Sequence, residues 1–428
     1  MRKNIFVIGL DDHNRAELRT LREAESIQFH SLLSVEEVKQ TDRHAMDALM
    51  GRAEAQLDAF HGSIDGIIGF WDFPVSLMVP LLCERHGTIG PSLESVLKCE
   101  HKYWNRLEQR RWLGPHVPRV NPVDPFADDP FATVDLAFPF WLKPVKAYSS
   151  LLGFRVEDRT DFDRAMAAVR RGIGRFAEPF NYFLSRVSPP EEVAKVDGYW
   201  CVAEEISRGA QCTQSGFAFQ GDIHTYGLID THYYAEADSI FRFRYPSDFS
   251  PEMERKMAEI STNIMARIGV ENTPFNVEYF YDRDQDRLQI LEINPRISQS
   301  LADLYAKVDG TSNHQVLVDV VTGRRPEIRR GEGPHGVAAK FIHRVFRDGI
   351  VRRVPDERDL RKVREAFPGT VVQATAAPGR RLSELAGQDS YSYKLAMIYM
   401  GAGDDETLLE NYNRCVEMLN FEIDEVTE

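Results

Sequence analysis

The chain has 428 residues, 43% apolar and 28% charged, an ordinary globular composition with room for two or three domains. With 52 Lys and Arg against 66 Asp and Glu, the net charge of −14 argues against nucleic acid or an anionic membrane as the main partner. The cysteines (Cys83, Cys99, Cys201, Cys212, Cys415) form no CxxC and are odd in number, which fits a reducing cytoplasm better than a disulfide framework.

The opening "MRKNIFVIGLDD" has a basic start, but its apolar run stops at Leu10 and no small-residue cleavage site follows. It reads as a first β-strand rather than a signal peptide. "IDGIIGF" (64–70) reads as another strand, and "VSLMVPLLCERHG" as a helix stopped by Gly87, too short and too Pro-interrupted to span a membrane. Alternating strands and helices predict a small parallel α/β domain over roughly 1–95. "LESVLKCEHKYWNRLEQRRW" reads as one helix, and "GPHVPRVNPVDPFADDPF" as a linker or surface loop. "FPFWLKPV" is a strand, "KAYSSLLGFRVED" a loop and a second strand, and "DFDRAMAAVRRGI" a helix with an N-cap Asp. "YWCVAEEIS" is a strand and "CTQSGFAFQGDIHTYGLID" a hairpin or meander. "PEMERKMAEISTNIMARIGV" reads as a helix ending at Gly269, and "FNVEYFYDRDQDRLQILEIN" as a hairpin turning near Gln285. "NHQVLVDVVTG" is a helix ended by Gly323. Strands follow Pro326 ("GVAAKFIHRVF", "TVVQATA"), and a helix near Glu406–Leu419 ends the series.

The hairpin carries the strongest chemical signal. With the turn at Gln285, Glu278 lies opposite Glu292, and the period of two puts Glu292, Asn294 and Arg296 on one face. Charges on a hairpin with apolar flanks need a partner or a metal. Two carboxylates and an amide oxygen suit Mg²⁺ or Mn²⁺, which takes its remaining ligands from water and phosphates. Arg296 is placed to hold a phosphate or a developing negative charge. Lys143, at the end of "FPFWLKP", is a second candidate phosphate cation, and Ser149 and Ser150 in "KAYSSLLG" are candidate phosphate-covering groups. "AEEISRG" places Glu204, Glu205 and Ile206 at a strand end whose backbone edge can read an adenine. "GEGPHG" (331–336) and "GIGRFA" (172–177) match a dinucleotide fingerprint by letter but sit in the wrong context, before a strand and after a helix.

In this order the pieces resemble the ATP-grasp superfamily, over roughly residues 90–345, and within it the carboxylate–amine ligases (L-amino-acid ligase, D-alanine–D-alanine ligase, carnosine synthase). The resemblance implies an α/β ATP-grasp fold with an N-terminal Rossmann-like domain (1–112). Two grasp subdomains (113–200 and 201–325) and a C-terminal β-rich lid segment with a terminal helix (326–428) follow. It implies ATP lysines at Lys102, preceded by His101 where Asp is usual and with Lys98 in reserve, and at Lys143. It also implies an adenine hinge in which Glu204 accepts from the amino group and Ile206 offers its N–H, and Gln211 at the ribose. Mg²⁺ (or Mn²⁺) ligands would be Glu278, Glu292 and Asn294, with Arg296 beside the transferred phosphate, and a further cation would come from Arg242 or Arg244. The implied activity joins a small-molecule carboxylate to an amine through an acyl phosphate in a cytoplasmic homodimer, with no nucleic-acid or membrane partner. Bicarbonate activation of the biotin-carboxylase kind and a non-catalytic ATP-binding module are the alternatives.

Overall fold

The computed structural model describes residues 2–426 except 40–44, 115–116, 149–150, 236, 238, 386–387 and 389–391. The N-terminal segment builds a three-stranded parallel sheet, β1 (Lys3–Ile8), β2 (Ile27–Leu32) and β3 (Gly66–Ile68), in the order β2-β1-β3. β1 is buried on both faces, Phe6 and Ile8 to one core and Ile5 and Val7 to another, which its unbroken apolar run foretells. Helix Val75–His86 follows β3 as expected.

A second sheet holds β4 (Val120–Val123), β5 (Phe140–Pro144), β6 (Phe154–Val156) and β7 (Cys201–Glu205), in the order β4-β7-β5-β6. β4 and a 3₁₀ turn (Pro130–Thr133) occupy the Pro- and Asp-rich stretch that composition alone marks as linker. The chain leaves this sheet only after Glu205, five residues beyond the division expected at 200. The helix Arg159–Gly172 is capped by Asp158 rather than by Asp161, whose backbone N–H donates to it.

The third sheet is antiparallel throughout. It takes β8 (Ala210–Phe219), β9 (Asp222–Tyr233), β10 (Ile240–Tyr245), β11 (Thr273–Asp282), β12 (Arg287–Asn294) and β13 (Val337–Val345), and β14 (Gly349–Arg353) follows outside it. β15 (Val371–Ala374) and β16 (Tyr393–Ala402) return to it, giving the order β12-β11-β8-β9-β10-β13-β16-β15. The strands after Pro326 therefore extend the sheet that carries the carboxylate hairpin. β14 pairs separately with β17 (Glu422–Glu425).

One face of the large sheet packs on helix Pro251–Ile268, through Cys212, Val277 and Tyr279, and on helix Asp405–Leu419, through Phe341 and Ile398. The opposite face is partly covered by helix Ala302–Asp309, through Leu304, Tyr305 and Val308. Pro251–Ile268 starts from the Ser250 cap and stops at Gly269, whose φ of +80° suits a residue without Cβ.

Candidate active site

The single helix expected over 93–112 is two, Leu93–Glu100 and Lys102–Leu113, broken at His101. His101 is extended (φ −80°, ψ 99°), and its Nδ1 accepts from Trp104 N at 3.2 Å, so histidine does here the N-cap work that an Asp would do. Its Nε2–H donates to Val196 O at 2.7 Å, a bond a carboxylate could not give. Burial pulls His101 down to about 4, so the fold keeps it neutral while the unfolded chain takes a proton below about 6.5. Stability should therefore fall as pH drops from 6.5 towards 4. His101→Ala is expected to cost about 1–2 kcal/mol at pH 7.5 and to flatten that fall, as read by urea unfolding at pH 7.5 and 5.

The break aims Lys102 at the site. Its Nζ donates to Ala147 O at 3.3 Å, and burial, opposed by Glu292 and aided by Lys146 and Lys143, pulls it down to about 8. Lys98 instead pairs with Glu94 at 2.7 Å, one turn back on its own helix.

On the hairpin, Glu278 stands directly opposite Glu292 and Asn276 opposite Asn294, as expected, although the turn is centred between Asp284 and Gln285 and a bulge at Leu291 makes up the difference. Glu278 accepts from Gln211 Nε2 at 3.2 Å and from Asn294 Nδ2 at 3.3 Å, while Glu292 accepts no hydrogen bond and makes no ion pair among the described residues. Burial, then the facing Glu292, pushes the Glu278 carboxyl up. Arg296 follows the end of β12 but stays on the same side, donating from Nη2 to Asn294 Oδ1 at 3.2 Å and to Asp72 Oδ2 at 2.7 Å. Among the described residues no three His, Cys, Asp or Glu side chains cluster as a metal site. The donor set here is two carboxylates and an amide, hard oxygens that fit Mg²⁺. A cation would also relieve the repulsion that raises Glu278.

Lys143 and Glu204 share a face because Lys143 lies opposite Val202 and Trp141 opposite Glu204. Lys143 Nζ donates to Glu204 Oε1 at 2.6 Å, and Arg106 Nε to Oε2 at 2.7 Å. The Glu204 side chain is therefore a buried ion-pair partner, which leaves to its backbone any contact with an adenine. Burial would raise it, but Arg106 and Lys143 hold it at about 2. Glu205 pairs with Arg287 of β12 at 3.3 Å, and Ile206 begins the loop after β7. Both ends of the Gln211 amide are engaged, by Glu278 and by the Tyr233 hydroxyl. Ser149 and Ser150 lie outside the described residues.

Neither Arg242 nor Arg244 reaches the carboxylate face. Thr231 stands opposite Gln211 and Phe243 opposite Thr231, so the residues flanking Phe243 point to the other side. There Arg242 grips Asp405 with both Nη atoms, at 2.7 and 2.8 Å, and Arg244 Nε adds a bond at 3.0 Å. Together they anchor the helix Asp405–Leu419 to the sheet.

Four charged residues of this centre escaped the sequence reading: Asp72, Glu100, Arg106 and Lys146. Lys146 is 3% exposed and bridges Asp72 at 3.2 Å and Glu100 at 2.9 Å. Burial would raise Asp72, yet Lys146 and Arg296 hold it far below the usual carboxylate range. A signal for Asp72 was present, since it follows β3 at the carboxyl edge of a parallel sheet, where ligands gather.

Residues 244–322 match the family profile of the carbamoyl-phosphate synthase L chain, ATP-binding domain. No curated protein sequence matches the chain. Among solved structures, the L-amino acid ligase from Bacillus licheniformis aligns over 100% of this chain and 99% of its own, with TM-score 0.72 and 16% identity. Biotin carboxylase from Campylobacter jejuni, solved as a β,γ-ATP complex, aligns over 99% of this chain and 92% of its own, with TM-score 0.65 and 13% identity. Phosphoribosylglycinamide synthetase from Anaerococcus prevotii aligns over 99% of this chain and 100% of its own, with TM-score 0.64 and 11% identity. With its large antiparallel sheet bearing the hairpin carboxylates, the chain has the ATP-grasp fold, and it is similar in structure to both an L-amino acid ligase and a biotin carboxylase.

Proposed function

We propose that the protein activates a small-molecule carboxylate with Mg²⁺–ATP as an acyl phosphate and passes the acyl group to an amine, releasing ADP and phosphate. The observation that carries this reading is the facing pair Glu278–Glu292, with Asn294 and Arg296 continuing along one face. Glu278, Glu292 and Asn294 would hold Mg²⁺, which neutralises phosphate charge when bound. Lys102 and Lys143 act as point charges on the phosphate tail, Lys143 giving up part of its bond to Glu204. Arg296, fixed by Asp72 through Nη2, has a buried Nε without a partner and directs that donor at the reacting carboxylate or its oxyanion.

Bicarbonate activation is the second reading, favoured by the alignment with nearly the whole biotin carboxylase chain. ADP and phosphate release from Mg²⁺–ATP, measured across carboxylates crossed with amines and with bicarbonate alone, separates the two. Release that needs one acid and one amine is the expected result. Release with bicarbonate and no amine would replace the ligase by a carboxylating enzyme. ATP binding without release in any combination would leave a binding module.

A further inference from the structure

Five strands of the large sheet place one side chain each in a row on the carboxylate face. Gln211 stands opposite Thr231, Thr231 opposite Phe243, Phe243 opposite Lys340, and Lys340 opposite Tyr399. Gln211 donates to Glu278, so the row begins at the carboxylate pair. Its far end is polar and unsatisfied. Lys340 is 6% exposed, and among the described residues its ammonium has no hydrogen-bond acceptor and no ion pair. Among the described residues it lies over the rings of Phe243, at 5.6 Å, and Tyr399, at 5.8 Å. The Tyr399 hydroxyl makes no hydrogen bond among the described residues, and Thr231 Oγ1 is buried without a partner.

Buried ammonium groups are ordinarily paired, and two ring faces compensate only part of the lost hydration. Burial, with the like charge of Lys394 nearby, pulls Lys340 down to about 8, the response of a cation that lacks its anion. The position also separates it from the phosphate cations. Gln211 and Lys340 lie three strand spacings apart, about 14 Å across the sheet, so one small anion cannot touch both ends of the row.

We propose that Lys340, with the Tyr399 hydroxyl on the adjoining strand, forms a subsite for a second anionic group, carboxylate or phosphate, on one of the two organic substrates, remote from the carboxylate that reacts. The inference rests on the ligase reading of the Glu278 face and narrows its substrates. One of them is an extended molecule with a distal anion, such as an amino acid or a dicarboxylate, rather than a simple acid or a simple amine.

The test is Lys340→Met, which keeps the apolar stem and removes the charge, with Tyr399→Phe as a second, gentler variant. The ATP site is filled with Mg²⁺ and a non-hydrolysable ATP analogue, and thermal unfolding is followed while glutarate, L-glutamate or inorganic phosphate is titrated, with glutaramide as the neutral control. At least one anion should raise the wild-type melting temperature, with apparent affinity at least about tenfold weaker in Lys340→Met and no response to glutaramide. Glutarate or L-glutamate acting without phosphate identifies a carboxylate ligand, and the converse a phosphorylated one. If no anion distinguishes wild type from both variants, the subsite is overturned. If the ATP analogue binds neither wild type nor variant, the ligase reading fails, while the anion titration still decides the subsite.

Discussion

Glu292→Gln is expected to remain folded and to lose Mg²⁺–ATP turnover by a factor of about a hundred to a thousand, the usual penalty for removing one preorganised charge-stabilising contact. The variant separates site from scaffold because Glu292 acts on its neighbours through charge alone, on Lys102, Lys146 and Arg296 as well as on Glu278. It faces Glu278 across the hairpin with no hydrogen bond or ion pair of its own among the described residues. Its charge is the second cause, after burial, of the upward push on Glu278. Removing it relieves a like-charge pair but also takes a favourable charge from Lys102, Lys146 and Arg296, so the unfolding midpoint without Mg²⁺ should stay about level. The midpoint gained on adding Mg²⁺ and ATP should shrink, since a ligand stabilises only in proportion to its binding. Two measurements check this: ADP release under saturating substrate, and thermal unfolding with and without Mg²⁺. Full turnover in Glu292→Gln would end the assignment of the carboxylate pair to a metal. A lowered midpoint without Mg²⁺ would mean that the pair is structural.

The hairpin was legible because its signals are local. Period-two alternation, apolar flanks and a charged turn place the two strands, and a one-residue bulge at Leu291, which no local signal announces, brings Glu278 opposite Glu292. The helix Pro251–Ile268 was legible for the same reason, with its Pro and Glu start and Gly269 stop. Features that depend on tertiary contacts were not. Nothing in "KCEHKYW" announces that the helix breaks at His101, because the break is held by Val196 O, 95 residues away. Nothing local to Glu204 shows that Arg106, from a different element, takes one of its side-chain oxygens. Arg242 and Arg244 looked like spare cations in "FRFRYP". Which face they occupy depends on the pairing of β10 with β9 and on Asp405, and neither can be read from the local pattern. The Asp72–Arg296 pair joins residues 224 positions apart, beyond any motif.

Arg106→Met is expected to destabilise the protein by up to about 3–5 kcal/mol, because it takes from a buried carboxylate one of its two cations and leaves it to Lys143 alone. Arg106 is 3% exposed and Glu204 2%. Besides its bond to Glu204, the guanidinium donates to Leu291 O at 2.8 Å and to Gln109 Oε1 at 3.0 Å. It thereby ties the helix that starts at Lys102 to β7 and to the hairpin next to Glu292. The pH dependence has a definite sign. Burial opposes ionisation of Glu204, yet Arg106 and Lys143 hold its carboxyl at about 2 in the fold, against about 4.5 ordinarily. A carboxyl depressed by folding contributes stability in full above its unfolded value and loses it as pH falls through the folded one. The gap between wild type and Arg106→Met, read by urea unfolding, should therefore be widest near pH 7 and narrow as pH falls from about 4.5 towards 2. An unchanged gap over that range would show that the loss is packing, not charge. The double variant Arg106→Met/Glu204→Met sharpens the point, since replacing both buried partners by apolar groups is often neutral or stabilising. It should recover most of the lost stability. It should not recover ATP affinity, because Lys143 would have lost Glu204, the carboxylate that holds it in place at 2.6 Å. Recovery of both would assign the ion pair to the fold alone, and recovery of stability without affinity would assign it to the placement of Lys143.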